Sequence, residues 1–112
     1  MGDAQPYTSS AVAQRLQVLA QLYQQDQASE LMERALDKVL TYEADVCRAQ
    51  LSQLRADLAE FEQRYGLSST EFYRRFQAGQ TDDRMDYVEW ASLVQMADNL
   101  KERLRLLTSE EK

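Results

Sequence analysis

The residues best suited to chemistry are three carboxylates in one short run, Asp82, Asp83 and Asp86. Hard oxygen ligands at this spacing on a helix can share a magnesium ion. The free amides and the dipole at a helix N-terminus also attract Asp and Glu, without any ion. The run therefore has two interpretations, a metal-dependent enzyme that uses residues 82–89 and the start of a helix.

The same run resembles the magnesium–diphosphate motif of isoprenoid synthases. Those enzymes also need a large helical bundle and a second acidic motif, and this chain of 112 residues has neither. The sequence therefore favours the helix start, and we expect no metal ion and no cofactor at these aspartates.

Other catalytic constellations lack their residues. The chain has no histidine, which excludes Ser-His and Cys-His nucleophile pairs and His-based metal sites. It also has no glycine-rich phosphate loop. The only cysteine, Cys47, falls among apolar positions of a helix, where a small core residue is favoured over a reactive thiol. We therefore expect a non-enzymatic protein.

The charge balance points to a protein partner. With 13 basic and 19 acidic residues, the chain carries a net charge of −6. This charge disfavours nucleic-acid binding by the chain alone and suits a basic protein partner. A lone cysteine cannot form an intrachain disulfide, and no apolar run is long enough for a membrane span. The N-terminus lacks a basic region followed by an apolar stretch, so no signal peptide is expected. The predicted location is the cytoplasm.

One proline and three glycines leave the sequence helix-forming almost throughout. Two apolar seams alternate steps of three and four residues, which is typical of coiled-coil-like packing. The first seam consists of Ala44, Cys47, Leu51, Leu54, Leu58, Phe61 and Tyr65, and the second of Trp90, Leu93, Ala97, Leu100, Leu104 and Leu107. An earlier helix shows one apolar face at Val12, Leu16, Leu19 and Tyr23.

Start and stop signals separate the two seams. Gly66 and Gly79 fit the left-handed position after a helix end. Ser68 fits an N-cap, and a capping box would also return the Glu71 carboxylate to the Ser68 amide. Asp86 is the predicted start of the last helix. Two hydrophobic staples are predicted, Leu67 with Phe72 and Met85 with Trp90.

These signals predict an all-α fold of about four helices. A long, coiled-coil-like antiparallel hairpin with a short connecting helix would follow an N-terminal helix. Residues 1–10 are expected to be a disordered or loose lead-in to a single helical domain over residues 11–112. Between the first two helices, Asp26 or Ser29 fits an N-cap, and one continuous helix is the alternative. A homodimer would cover apolar faces that the chain leaves open.

Six aromatic residues surround the predicted connecting helix. They could stack on nucleic-acid bases, but a small core between the helices explains most of them. The six are Tyr65, Phe72, Tyr73, Phe76, Tyr87 and Trp90. We predict that Tyr73, Phe76, Tyr87 and Trp90 contact a partner, with Asp82, Asp83 and Asp86 as a charged rim.

The motifs from residue 61 to 90 follow a definite order. Phe-Glu-x-x-Tyr-Gly occupies residues 61–66 and Ser-x-x-Phe residues 69–72, before a loop with Gly79 and the final Glu89-Trp90. This order resembles a family of small prokaryotic all-helical proteins commonly assigned as antitoxin-like components of toxin–antitoxin pairs. That family has a Gly-Glu-Leu-Gly run where this loop reads Gly-Gln-Thr. The resemblance implies an antitoxin that binds and neutralises a cognate toxin.

Two alternatives remain from the sequence. Ser29-Glu30-Leu31, between two amphipathic stretches, resembles the turn of ribbon-helix-helix repressors, which would make the chain a DNA-binding autorepressor. The preceding residues 1–10 carry no Lys or Arg for reading DNA, and the glycine usual at that turn is missing. The second alternative is a purely structural helical oligomer.

Overall fold

The computed structural model describes residues 9–108, which form four α-helices and no strand. The helices are α1 (Ser9–Gln24), α2 (Glu30–Tyr65), α3 (Ser69–Gln77) and α4 (Met85–Thr108). The predicted all-α class and the four helices are confirmed. Among these residues, no helix is both long enough and apolar enough to cross a bilayer.

Contacts within the chain group it into two compact units, Met1–Lys38 and Val39–Lys112. Helix α2 continues from the first unit into the second without a break. The lead-in predicted over residues 1–10 falls mostly on residues 1–8, outside the described residues, and α1 already begins at Ser9. A single domain over residues 11–112 stays a prediction.

A break at residues 25–29 separates α1 from α2, so the alternative of one continuous helix is wrong. Asp26 adopts the left-handed conformation, with φ of 62°, and the amide of Gln27 donates to the Leu22 carbonyl at 2.7 Å. Ser29 then caps α2, because its hydroxyl accepts from the Met32 amide at 3.1 Å. Of the two predicted caps, Ser29 is the one used.

The core of residues 39–108 lies between α2 and α4. One cluster of buried residues joins Leu51 and Leu54 of α2 to Ala97 of α4. At the other end of the hairpin, the ring of Phe61 stacks on Trp90 with centroids 5.5 Å apart. The predicted pairing of the two apolar seams is therefore confirmed.

Polar contacts at the open end of the hairpin fix the same antiparallel register. The Cys47 thiol donates to the Leu100 carbonyl at 3.1 Å, and Cys47 is only 1% exposed. Arg103 pairs with Glu43 at 2.8 Å. Residue numbers rise along α2 as they fall along α4, as an antiparallel pair requires. Cys47 is thus a core residue, as the sequence predicts.

Helix α3 begins and ends much as the sequence predicts. Ser68 is its N-cap and accepts from the Glu71 amide at 3.1 Å. Gly66 and Gly79 follow the ends of α2 and α3 with φ of 62° and 72°. Because a side chain clashes with the backbone in this conformation, glycine is the residue that fits both positions.

The return half of the predicted capping box is not formed. The Glu71 carboxylate turns instead to Arg74 and Arg75, at 2.6 and 2.9 Å. A carboxylate of the preceding helix contributes to the helix start, because Glu62 accepts from the Ser69 amide at 2.9 Å. Charged partners one turn along α3 attract Glu71 more strongly than a neutral amide does.

Candidate functional site

The candidate site is a cleft of about 530 Å³ where α2 ends, α3 crosses and α4 begins. We call it the corner cleft. Aromatic rings form much of its wall, and polar side chains of α3 and the following loop complete it. The lining residues are Tyr65, Gly66, Leu67, Phe72, Arg75, Gln80, Thr81, Asp82, Tyr87 and Trp90.

Trp90 is the centre of the aromatic cluster behind the cleft. Its ring lies parallel to that of Phe72, with centroids 3.9 Å apart and planes 2° apart. Phe61 and Tyr65 stack on it at 5.5 and 5.7 Å. The indole N–H donates to the Ser69 hydroxyl at 2.9 Å, so the polar atom of this buried ring is satisfied.

Burial corrects the role predicted for Trp90. The residue is 0% exposed and therefore has no surface with which to touch a partner. Its predicted staple partner, Met85, is 76% exposed and points away from the core. A helix that begins at Met85 places Trp90 in its second turn, where the ring reaches α2 and α3 instead.

The other three predicted aromatic contacts keep exposed surface. Tyr73, Phe76 and Tyr87 are half-buried and pack against the edge of the Trp90 cluster. The rings of Tyr73 and Phe76 lie 6.4 Å apart along one side of α3. Tyr87 packs edge-on against Tyr65 at 5.1 Å, on the side of the cleft formed by α4. Only Tyr87 of the three lines the cleft.

Asp86 does not cap α4, because it lies within the first turn of that helix. Its carboxylate accepts from the Tyr65 hydroxyl at 2.6 Å and from Arg64 at 2.9 Å. The Tyr65 hydrogen bond, followed by that of Arg64, holds the pKa of Asp86 below its ordinary value. The same bond raises the pKa of Tyr65. Asp86 thus ties the end of α2 to the start of α4.

Asp82 lies in the loop before α4 and pairs with Arg84. Its carboxylate accepts from the Arg84 amide at 3.1 Å and from the Arg84 guanidinium at 2.8 and 3.0 Å. These bonds lower the pKa of Asp82 to about 2. The Arg84 guanidinium lies over the ring of Tyr87, 4.6 Å from its centroid, and 6.0 Å from that of Tyr65. Asp82 and two tyrosines therefore hold a guanidinium group.

Asp83 differs from its two acidic neighbours. It is exposed, and among residues 9–108 no hydrogen bond or ion pair engages its carboxylate. The three predicted rim acids thus separate into two that arginines occupy and one that is available. The described part of the chain contains no group of three His, Cys, Asp or Glu residues placed to hold a metal ion.

Three residues of this arrangement were missed in the sequence. Arg64 and the Tyr65 hydroxyl donate to Asp86, and Arg84 donates to Asp82. From the sequence, these aspartates were predicted to be a helix cap or a free charged rim. Arg84 lies inside the acidic run, so its pairing with Asp82 could have been expected from proximity. The approach of residues 64 and 65 to Asp86 depends on how the hairpin closes, which local sequence does not reveal.

The strand needed for a ribbon-helix-helix repressor would fall on the residues before α1. Residues 1–8 lie outside the described part of the chain, and residues 9 and 10 are helical. Comparison of the chain with protein-family models, with curated proteins and with solved structures finds no match.

Proposed function

We propose that the chain is a non-enzymatic helical interaction protein, the antitoxin of a toxin–antitoxin pair, which binds and neutralises a basic protein partner. The acting species in this proposal is a homodimer in the cytoplasm. The resemblance of the motifs over residues 61–90 to antitoxin-like proteins suggests the class, and the geometry of the corner cleft supports the choice of contact surface.

The observation that carries the proposal is the set of groups that bind the Arg84 guanidinium. An aspartate and two tyrosine rings at the corner cleft already bind a guanidinium within the chain. Because Arg84 occupies Asp82, a guanidinium of a basic partner would bind beside it, where a carboxylate and aromatic rings again lie close together. Asp83, next to this site and without a partner among the described residues, adds an available charge for such a group.

The half-buried aromatic residues add apolar contact area beside these charges. Tyr73 and Phe76 expose part of their rings on α3 while their remaining surface packs on the core. Because the core fixes these rings, little side-chain freedom is lost on binding. Tyrosine anchored in this way is a residue type enriched at protein interfaces.

Co-expression with the product of the adjacent reading frame tests the proposal. We expect a stable complex and relief of the growth arrest that this product causes alone. Tyr73→Ala should weaken the complex about tenfold or more, as for an anchoring aromatic at an interface. Asp83→Asn should slow association and reduce its salt dependence.

Asp98→Asn is the matched control, because it removes the same charge from α4 about three turns beyond Asp86. It should leave affinity and association rate unchanged. Absence of a complex, with no relief of toxicity, would overturn the proposal. A shift of the chain's own promoter DNA at low salt by the protein alone would favour the autorepressor instead.

A further inference from the structure

Helix α1 has the composition of a buried helix without being buried. Nine of its 16 residues are apolar and only Arg15 is charged, in a chain of which 29% is charged. None of the 16 is buried. The larger exposed apolar side chains are Val12, Leu16, Val18 and Tyr23, with exposed fractions of 36, 52, 55 and 38%.

A helix that is apolar around most of its circumference needs a covering surface. A single helix of this length is only marginally stable in water without one.

Charge distinguishes the two partners that could cover α1. Helix α1 holds one basic and no acidic side chain, a net charge of +1, whereas residues 39–112 hold ten basic and fourteen acidic side chains, a net charge of −4. A basic partner gains little attraction at such a nearly neutral segment. Two acidic copies of this chain, in contrast, repel each other least there.

We infer that α1 is the dimer interface, and that Val12, Leu16 and Tyr23, which lie on one face of this helix, pack against α1 of a second copy of this chain. The inference rests on the homodimer of the proposed function and assigns the surface that forms it. A two-fold axis brings the same surface of each copy together. Leu16 lies at the middle of Ser9–Gln24, so an antiparallel pair of α1 helices places it near the axis.

Sedimentation equilibrium of the full chain, from about 1 to about 100 μM, tests the inference. The wild-type chain should form a dimer in this range. Leu16→Glu places a charge near the axis and should weaken the dimer about 10- to 100-fold. Leu106→Glu is the matched control, because Leu106 is also exposed but belongs to α4, and it should leave the dimer intact.

Leu16→Ala keeps a good helix former in place, so a weaker dimer from this variant cannot be attributed to loss of the helix. A monomeric wild-type chain at the highest concentration would overturn the inference, as would a dimer that Leu16→Glu leaves unchanged. Binding of the adjacent gene product is measured separately. If Leu16→Glu abolishes that complex while the wild-type chain is monomeric, α1 covers the partner and not a second copy.

Discussion

Residues 9–38 and residues 39–108 both consist mainly of helix with regularly spaced apolar side chains, yet every buried residue lies in the second range. In residues 39–108, α4 returns along α2 and the two apolar seams cover each other. Residues 9–38 leave Leu16 and Leu31 more than half exposed. Regular apolar spacing thus shows that one face of a helix must pack against something. The topology of the chain decides whether another helix of the same chain packs there.

The largest expected effect comes from removing the centre of the core. Trp90→Ala should lower the free energy of unfolding by about 3–5 kcal/mol, because a fully buried ring with stacked neighbours leaves a cavity. Leu31→Ala, at a residue 76% exposed, should change it by less than about 0.5 kcal/mol. Urea unfolding followed by circular dichroism measures both. A comparable cost for Leu31→Ala would mean that residues 9–38 have a core of their own.

Enlarging a side chain should also destabilise the two regions to different extents, but by less than the loss of Trp90. Ala97 is 3% exposed and packs with Leu51 and Leu54, so Ala97→Leu should destabilise residues 39–108 by about 1–3 kcal/mol. Ala35→Leu adds the same atoms at an exposed position of α2 and should change stability by less than about 0.5 kcal/mol. Thermal unfolding followed by Trp90 fluorescence compares the pair. Equal melting temperatures would contradict tight packing between α2 and α4.

Backbone strain offers a third comparison. Gly66→Ala should cost about 1–2 kcal/mol, because φ is 62° and an added Cβ meets no atom within 4 Å, so strain is the only cost. Asp26 has the same φ between α1 and α2. Asp26→Ala should lower helix content by circular dichroism without moving the Trp90 fluorescence transition. A shift of that transition as large as for Gly66→Ala would show that the two regions unfold as one unit.

The smallest effect concerns pH. Arg74 and Arg75 lower the pKa of Glu71 from 4.5 to about 2, and Arg84 lowers that of Asp82 from 3.8 to about 2. Because these pKa values are lower in the folded chain, the stabilisation is present above about pH 4.5 and is lost as the pH falls towards 2. The contribution is small, since these groups are exposed.

Urea unfolding at a series of pH values measures this loss, and Glu71→Gln is the variant for comparison. The variant should lose less stability than the wild-type chain between pH 4.5 and 2, because it lacks the Glu71 titration. Parallel curves for the two chains would show that the ion pairs of Glu71 contribute nothing to folding.

The sequence predicted those parts of the fold that depend on periodicity and local caps. The two seams, the Ser68 cap and the glycine helix ends could be predicted because each depends only on residues close by in the sequence. The start of α4 was predicted wrongly at Asp86. An Asp next to a helix start has the composition of a cap, but Tyr65 and Arg64 approach it only after the hairpin has closed.

The candidate site was predicted by residue type more than by arrangement. Its acids and aromatic residues were identified, but the exposure of each was not. Tyr87 and Trp90 are only three residues apart in the sequence, yet Tyr87 is half-buried and Trp90 is fully buried. A position in the first turn of α4 leaves Tyr87 at the edge, and the second turn carries Trp90 into the core.

The single thiol of Cys47 can report on local opening of the helix pair, which none of the measurements above detects. It is enclosed between α2 and α4 and bonded to the Leu100 carbonyl, at the end of the hairpin away from the corner. A thiol reagent can reach it only when the two helices separate there, so the labelling rate of the unmodified chain measures how often this end opens. Partner binding at the corner cleft that slows this labelling would reveal communication along the whole helix pair.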